Sequence, residues 1–344
     1  MRKRTIWMAL FGMALGIVLL GWSGNRLPAA LNLVRQPAST VSAPIASREQ
    51  QPAPNVNSQR LLNDVRALTF RRYAPTDRTQ ARDYIIRELE QVGWSIQSHA
   101  FQDGLNLYAE RPGTDPNAGT ILLGAHYDTV EPSPGADDNA TSVATVLEAA
   151  RLFARQSTPR GLQIVFFDLE EQGLLGSKAF VDAKVQRDQL RGAIVLDMLG
   201  YACYTAGCQS YPSVLPIEPP TNRGDFLAVL GDQGHLPLLN SFVQASQAGL
   251  PPVQTLAVPT FGAFTPDLVR SDHAPFWKKN LGAVLVTDTA NFRNPHYHQP
   301  SDTLETIDPR FFQGAAQIVV NALSDLLQGH DSLATQDARQ ASGS

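Results

Sequence analysis

The sequence predicts an α/β domain with a mostly parallel, mixed-edge sheet flanked by helices on both faces. Three observations predict it. Apolar runs at 120–125, 162–167, 193–196 and 283–286 lack polar alternation, the mark of strands buried on both faces. Helix-period segments alternate with these runs, which is the order of a largely parallel sheet. Segments 95–101 and 105–110 instead alternate polar with apolar residues, as an antiparallel pair does.

The elements follow in order. Arg2-Lys3-Arg4 precedes an apolar stretch from Ile6 to Trp22, so 1–27 reads as a signal peptide or an N-terminal membrane anchor. The positive flank stays inside and the bulk of the chain is exported. It is held at the membrane if the segment is uncleaved, and secreted or periplasmic if it is cleaved. Residues 28–58, rich in Pro, Ala, Ser, Gln and Asn, read as a flexible linker. The folded domain is expected over 59–328, and 329–344 as a polar, disordered tail.

Within the domain, 61–68 and 78–92 are expected as helices; Tyr84, Ile85, Leu89 and Val92 recur on one face of the second. A buried strand at 120–126 leads to a helix at 139–154 with Val143, Val146, Leu147 and Ala150 inward. Further strands are expected at 162–168, 193–197, 226–230 and 283–287, with a helix at 176–183. A closing helix at 309–327 has Pro309 in its first turn. Residues 200–220 break the pattern and read as a surface excursion carrying Cys203 and Cys208. The spacing leaves both a disulfide and two free thiols open. Residues 252–268 show no pattern.

Composition narrows the function. With 344 residues, 43% of them hydrophobic, the chain can bury a sizeable core. A net charge of −4 lacks the basic excess of a nucleic-acid binder. Two cysteines cannot make a four-thiolate zinc site, so any metal must be held by oxygen and nitrogen.

Candidate ligands gather where the strands end, which in open α/β sheets is where sites form. His126 alone would read as a satisfied core histidine, but Asp128 two residues on can fix its tautomer and orientation. Asp137-Asp138-Asn139 would serve as a helix cap, yet two aspartates exceed what a cap needs, and one carboxylate can bridge two cations. Glu170-Glu171 reads either as a solvated loop or as a metal ligand beside a general base. Asp197 is weak alone, and spacing does not choose between His296 and His298. Each signal is weak; together, at successive strand ends, they are strong.

The stretches Gly124-Ala125-His126-Tyr127-Asp128, Gly135-Ala136-Asp137-Asp138-Asn139, Glu170-Glu171-Gln172-Gly173, Leu196-Asp197-Met198, Ser271-Asp272-His273 and Tyr297-His298-Gln299-Pro300-Ser301-Asp302 occur in this order. They resemble the co-catalytic dizinc aminopeptidases of peptidase family M28. The resemblance implies the zinc aminopeptidase (phosphorylase/hydrolase-like) fold and two Zn2+ per chain. His126 and Asp197 would hold one zinc, Glu171 and His298 the other, and Asp137 would bridge them. Glu170 would be the general base, Asp128 the partner of His126, and Asp138 would follow the bridge. His298 is preferred to His296 because it directly precedes the matching segment; Asp272 and His273 match without a defined role. The implied activity is removal of N-terminal residues from peptides. A carboxypeptidase or dipeptidase, a glutaminyl-peptide cyclotransferase-like enzyme and a non-catalytic M28-fold binding module are the alternatives. Side-chain preference and oligomeric state are not legible.

Overall fold

Runs of β-branched, leucine and aromatic residues form the sheet that the sequence predicts. The computed structural model describes residues 52–329 and Leu333, apart from 186–187, 216–218 and 263–264. The expected leader at 1–27, most of the linker and nearly all of the tail lie outside the described residues. Among the described residues, no helix is long and apolar enough to cross a membrane.

The strands are β1 (Gln97–Phe101), β2 (Gly104–Arg111), β3 (Thr120–His126), β4 (Gly161–Phe167), β5 (Leu190–Leu196), β6 (Leu227–Asp232), β7 (Val253–Val258) and β8 (Ala283–Thr287). Their order across the sheet is β1-β2-β4-β3-β5-β8-β6-β7. The centre is parallel: β3 pairs in parallel with β4 and β5, and β5 with β8. Both flanks reverse direction. β2 runs antiparallel to β4, and β6 antiparallel to β8, with β7 parallel to β6.

Side-chain alternation sends each central strand into two cores. In β4, Leu162, Ile164 and Phe166 join one cluster while Val165 and Phe167 join the other. The first cluster is covered by α1 (Ser58–Leu68), α2 (Pro75–Glu90), α3 (Ser142–Phe153), α5 (Leu236–Ala245) and α7 (Pro309–Gln328). The second is covered by α4 (Leu175–Ala183) and α6 (Ala274–Lys278). With both faces covered, the central strands need no polar alternation.

Capping and ion pairs fix the outer helices. Asn57 accepts the Arg60 N–H at the start of α1, and Asp308 accepts those of Arg310 and Phe311 at the start of α7. Glu148 of α3, fully buried, accepts from the Arg60 guanidinium at 2.6 Å and from the Asn57 N–H at 2.8 Å, tying α1 down. On α7, Phe311, Phe312, Ala315, Ile318, Val319 and Leu323 recur at helical spacing and are buried. Phe312→Ala there would cost about 3–5 kcal/mol.

Three elements escaped sequence reading. The edge strand β7 is only partly buried, and α5 and α6 carry prolines in their first turns. Cys203 and Cys208 are joined by a disulfide inside the 200–220 excursion.

Candidate metal centre

The ends of β3, β4 and β5 place three acidic or imidazole segments side by side. His126 is the last residue of β3; Glu170 and Glu171 follow β4, and Asp197 follows β5. The chain must turn sharply after each strand to present them. Leu169 and Met198 adopt φ of 59°, and so does His298, a backbone region that non-glycine residues rarely enter. Such positions concentrate at functional sites.

Two ligand clusters result. Atoms of His126, Glu170 and Asp197 lie within 4.8 Å of one another, as do those of Asp138, Glu171 and His298. Asp138 stands between the imidazoles: its Oδ1 is 3.4 Å from His126 Nε2 and its Oδ2 is 3.1 Å from His298 Nε2. His126 Nε2 is 3.6 Å from Asp197, and His298 Nε2 is 3.0 Å from Glu171.

Asp137, expected as the bridge, is turned away. Its Oδ1 accepts the N–H of Gly200 at 2.8 Å and the Thr141 hydroxyl at 3.2 Å; its Oδ2 accepts from Asn294 at 2.8 Å. With its oxygens engaged beneath the site, the place between the histidines falls to Asp138. The expectation is corrected by one residue, and a cis peptide bond lies between Asp138 and Asn139. His296 is also outside the clusters, its Nδ1 2.9 Å from the Ser301 hydroxyl. His298 is the member.

A second layer holds the first in place. Asp128 Oδ1 and Oδ2 accept the N–H groups of Glu170 and Glu171 at 3.1 and 3.2 Å. Oδ1 also stands 3.5 Å from His126 Nδ1. Asp302 accepts the N–H groups of Asp137 and Asp138 at 2.9 and 3.1 Å. Asn139 donates to the Leu196 carbonyl and accepts the Met198 N–H, locking the Asp138 loop to the turn of Asp197.

Arg72, wholly buried, had no signal in the sequence. Its guanidinium donates to the carbonyls of Leu68, Phe70, Tyr127, Pro134 and Gly135, so it clamps the loops on either side of Asp128. Gly135, at φ 64°, is required at this point: a Cβ would lie 2.4 Å from the Asp138 carbonyl oxygen and 2.7 Å from Arg72 Nη2.

The electrostatics are those of a site short of positive charge. Burial pushes the Glu170 carboxyl well above its usual range; Asp272, Glu171 and Asp197 push the same way, against His126. Burial and Asp138 raise Glu171 to about 7. Burial opposes a charged His298, yet Asp138 and Glu171 raise it to about 10.

The donor set fits divalent metal. Asp138 Oδ2, Glu171 Oε1 and His298 Nε2 are buried close together without a geometrically sound hydrogen bond. One imidazole nitrogen facing two carboxylates at 3.0 and 3.1 Å cannot satisfy both with a single proton, whereas the donors of a ligand shell aim their lone pairs at a common centre. Mixed carboxylate and imidazole donors suit zinc.

The cavity beside the clusters has a volume of about 460 Å³. Tyr211, Leu215, Phe226, Leu230 and Leu256 form an apolar wall, supplied by the 200–220 excursion, the residue before β6, and the middles of β6 and β7.

Comparison with known proteins agrees with this architecture. A 212-residue stretch is 35% identical to the uncharacterized protein YfbL of Escherichia coli (strain K12), covering 58% of this chain and 64% of YfbL. A 230-residue stretch is 26% identical to aminopeptidase YwaD of Bacillus subtilis (strain 168), covering 64% of this chain and 44% of YwaD. The chain thus spans less than two thirds of the length of either relative. The fold matches the aminopeptidase from Aneurinibacillus sp. strain AM-1 with a TM-score of 0.63 at 16% identity, over 82% of this chain and 96% of that one. It matches the Porphyromonas gingivalis glutaminyl cyclase with a TM-score of 0.57 at 19% identity, over 79% and 99%. The profile of Peptidase family M28 matches residues 106–323, most of the folded domain. The chain belongs to peptidase family M28.

Proposed function

We propose that the chain is a zinc-dependent exopeptidase, an aminopeptidase that uses a dinuclear site. The observation that carries this reading is the position of Asp138, whose two oxygens face His126 and His298 from opposite clusters. On this reading His126 and Asp197 would hold one Zn2+, Glu171 and His298 the other, with Asp138 available to both. When bound, the metal supplies Lewis acidity and activates water at neutral pH.

The chain's own residues supply the rest. Burial makes the Glu170 carboxylate a stronger base than usual, and in that ionised form it takes the proton of the attacking water and returns it to the departing amine. Asp128 holds the Glu170 backbone and the His126 ring in one orientation. The apolar wall excludes water from the substrate side chain. Similarity to an aminopeptidase, YwaD, supports a free N-terminus as the recognised end. The basic start and apolar run at 1–27 support action outside the cytoplasm, which cell fractionation tests.

Hydrolysis of amino-acid anilides and N-blocked peptides, with and without chelator, tests the reading. Chelator-sensitive cleavage of anilides alone is expected; cleavage of blocked peptides alone, or insensitivity to chelator, overturns it. The fold shared with a glutaminyl cyclase makes cyclisation of N-terminal glutamine the second reading. It predicts one zinc per chain, where the dinuclear reading predicts two.

A further inference from the structure

The wall of the cavity next to His298 differs from the apolar wall. It carries Asp267, Arg270, Asn291 and Tyr297. Arg270 is held there by two neutral acceptors: Nη1 donates to Asn291 Oδ1 at 3.0 Å and Nη2 to the Tyr297 hydroxyl at 3.1 Å. The Asp267 carboxylate stands 3.7 Å away, and both side chains are exposed by 40% or more. A contact that open neutralises little of the charge. The cavity's other cation, Lys178, is turned aside, its Nζ donating to the Gly173 carbonyl at 2.7 Å.

Arg270 is also close to the chemistry. The Tyr297 ring stacks on the His298 ring with centroids 3.7 Å apart, and the Arg270 guanidinium lies 5.9 Å from the Tyr297 centroid. An extended residue spans roughly 3.3–3.6 Å. A ligand whose carbonyl lies at the clusters carries a carboxylate one residue further on, inside the same cavity that Arg270 lines. A cavity of about 460 Å³ suits a ligand of two or so residues better than a long chain.

We propose that Arg270 is a specificity-determining residue that receives a carboxylate one residue beyond the scissile bond, so that free dipeptides are preferred substrates. This rests on the peptidase reading above. The same chemistry could come from an acidic side chain at that residue, and the substrates below separate the two sources.

The test compares kcat/KM for Leu-Gly, Leu-Gly-amide and Leu-Asp-amide on the zinc-loaded full chain, wild type, Arg270→Gln and Arg270→Lys. Leu-Gly is expected to exceed its amide by roughly tenfold or more, mainly through KM, as a hydrogen bond between charged groups would give. Arg270→Gln should bring that ratio near one, and Arg270→Lys should keep part of it. Binding supplies a readout without turnover. In a Glu170→Gln background, Leu-Gly should bind more tightly than its amide by calorimetry, and adding Arg270→Gln should abolish the difference. A wild-type ratio near one, or a ratio unmoved by Arg270→Gln, overturns the inference and leaves the peptidase reading standing. Preference for Leu-Asp-amide over Leu-Gly overturns the dipeptide assignment. Failure to hydrolyse all three overturns the peptidase reading, and this inference with it.

Discussion

The Glu170 backbone N–H donates to Oδ1 of Asp128 at 3.1 Å, and the same oxygen faces the His126 ring. One carboxylate therefore orients both the proposed base and a proposed ligand from different strands. Asp128→Asn would replace an acceptor by a donor in this bridge. Loss of such a supporting group typically lowers activity or metal affinity by roughly 10- to 100-fold. Paired measurement of kcat/KM and bound zinc checks this, and wild-type values for both would remove Asp128 from the account.

Glu170→Gln preserves shape and removes the proton acceptor. Turnover should fall by roughly 10²-fold or more while bound zinc stays at the wild-type level. Elemental analysis alongside anilide hydrolysis separates the two quantities. Retained turnover would transfer the base to another group.

The neighbouring aspartates should behave differently. Asp138→Asn should lower the zinc content. Asp137→Asn should leave the clusters their metal but set an amide among the donors of Gly200, Thr141 and Asn294. A buried donor without a partner costs about 1–3 kcal/mol, seen as a lower Tm. The opposite pattern would restore Asp137 as the bridge.

His273 links stability to pH. It is wholly buried, with Nε2 2.9 Å from the Leu268 carbonyl oxygen and its ring edge-on to Trp277 at 4.5 Å. Burial lowers its pKa from 6.5 to about 4, against opposing effects of the Leu268 carbonyl and Asp197. The unfolded chain binds this proton below pH 6.5 and the folded chain only near pH 4. Its contribution is therefore complete above that window and lost as pH falls through it, by roughly 3 kcal/mol in total. Urea unfolding in chelator at both ends of the window should show a smaller loss in His273→Gln. Equal losses in the two proteins would contradict the assignment.

Much of this was legible because physics leaves a trace in composition. β3, β4 and β8 stand out as apolar runs because both faces of the central sheet are covered. Those runs end in the acidic and imidazole segments that the fold gathers. β7 was hidden because an edge strand with partly exposed side chains has neither a solid apolar run nor clean alternation. Asp137 and Asp138 are chemically identical neighbours, and it is the distant donors Gly200, Thr141 and Asn294, engaging the Asp137 carboxylate, that leave Asp138 facing the site. Arg72 left no signal because its guanidinium donates to backbone carbonyls, which every residue carries.

The reversal between β8 and β6 has a consequence for how the domain can change. The clusters draw on the finishing ends of β3, β4 and β5, whereas much of the apolar wall of the cavity draws on β6 and β7, across a seam where Ala228 pairs with Thr287. The proposed ligands and wall residues such as Leu230 and Leu256 thus sit on strands on opposite sides of that seam. One flank of the sheet can therefore vary in the shape it gives the cavity while the strands that carry the clusters stay the same.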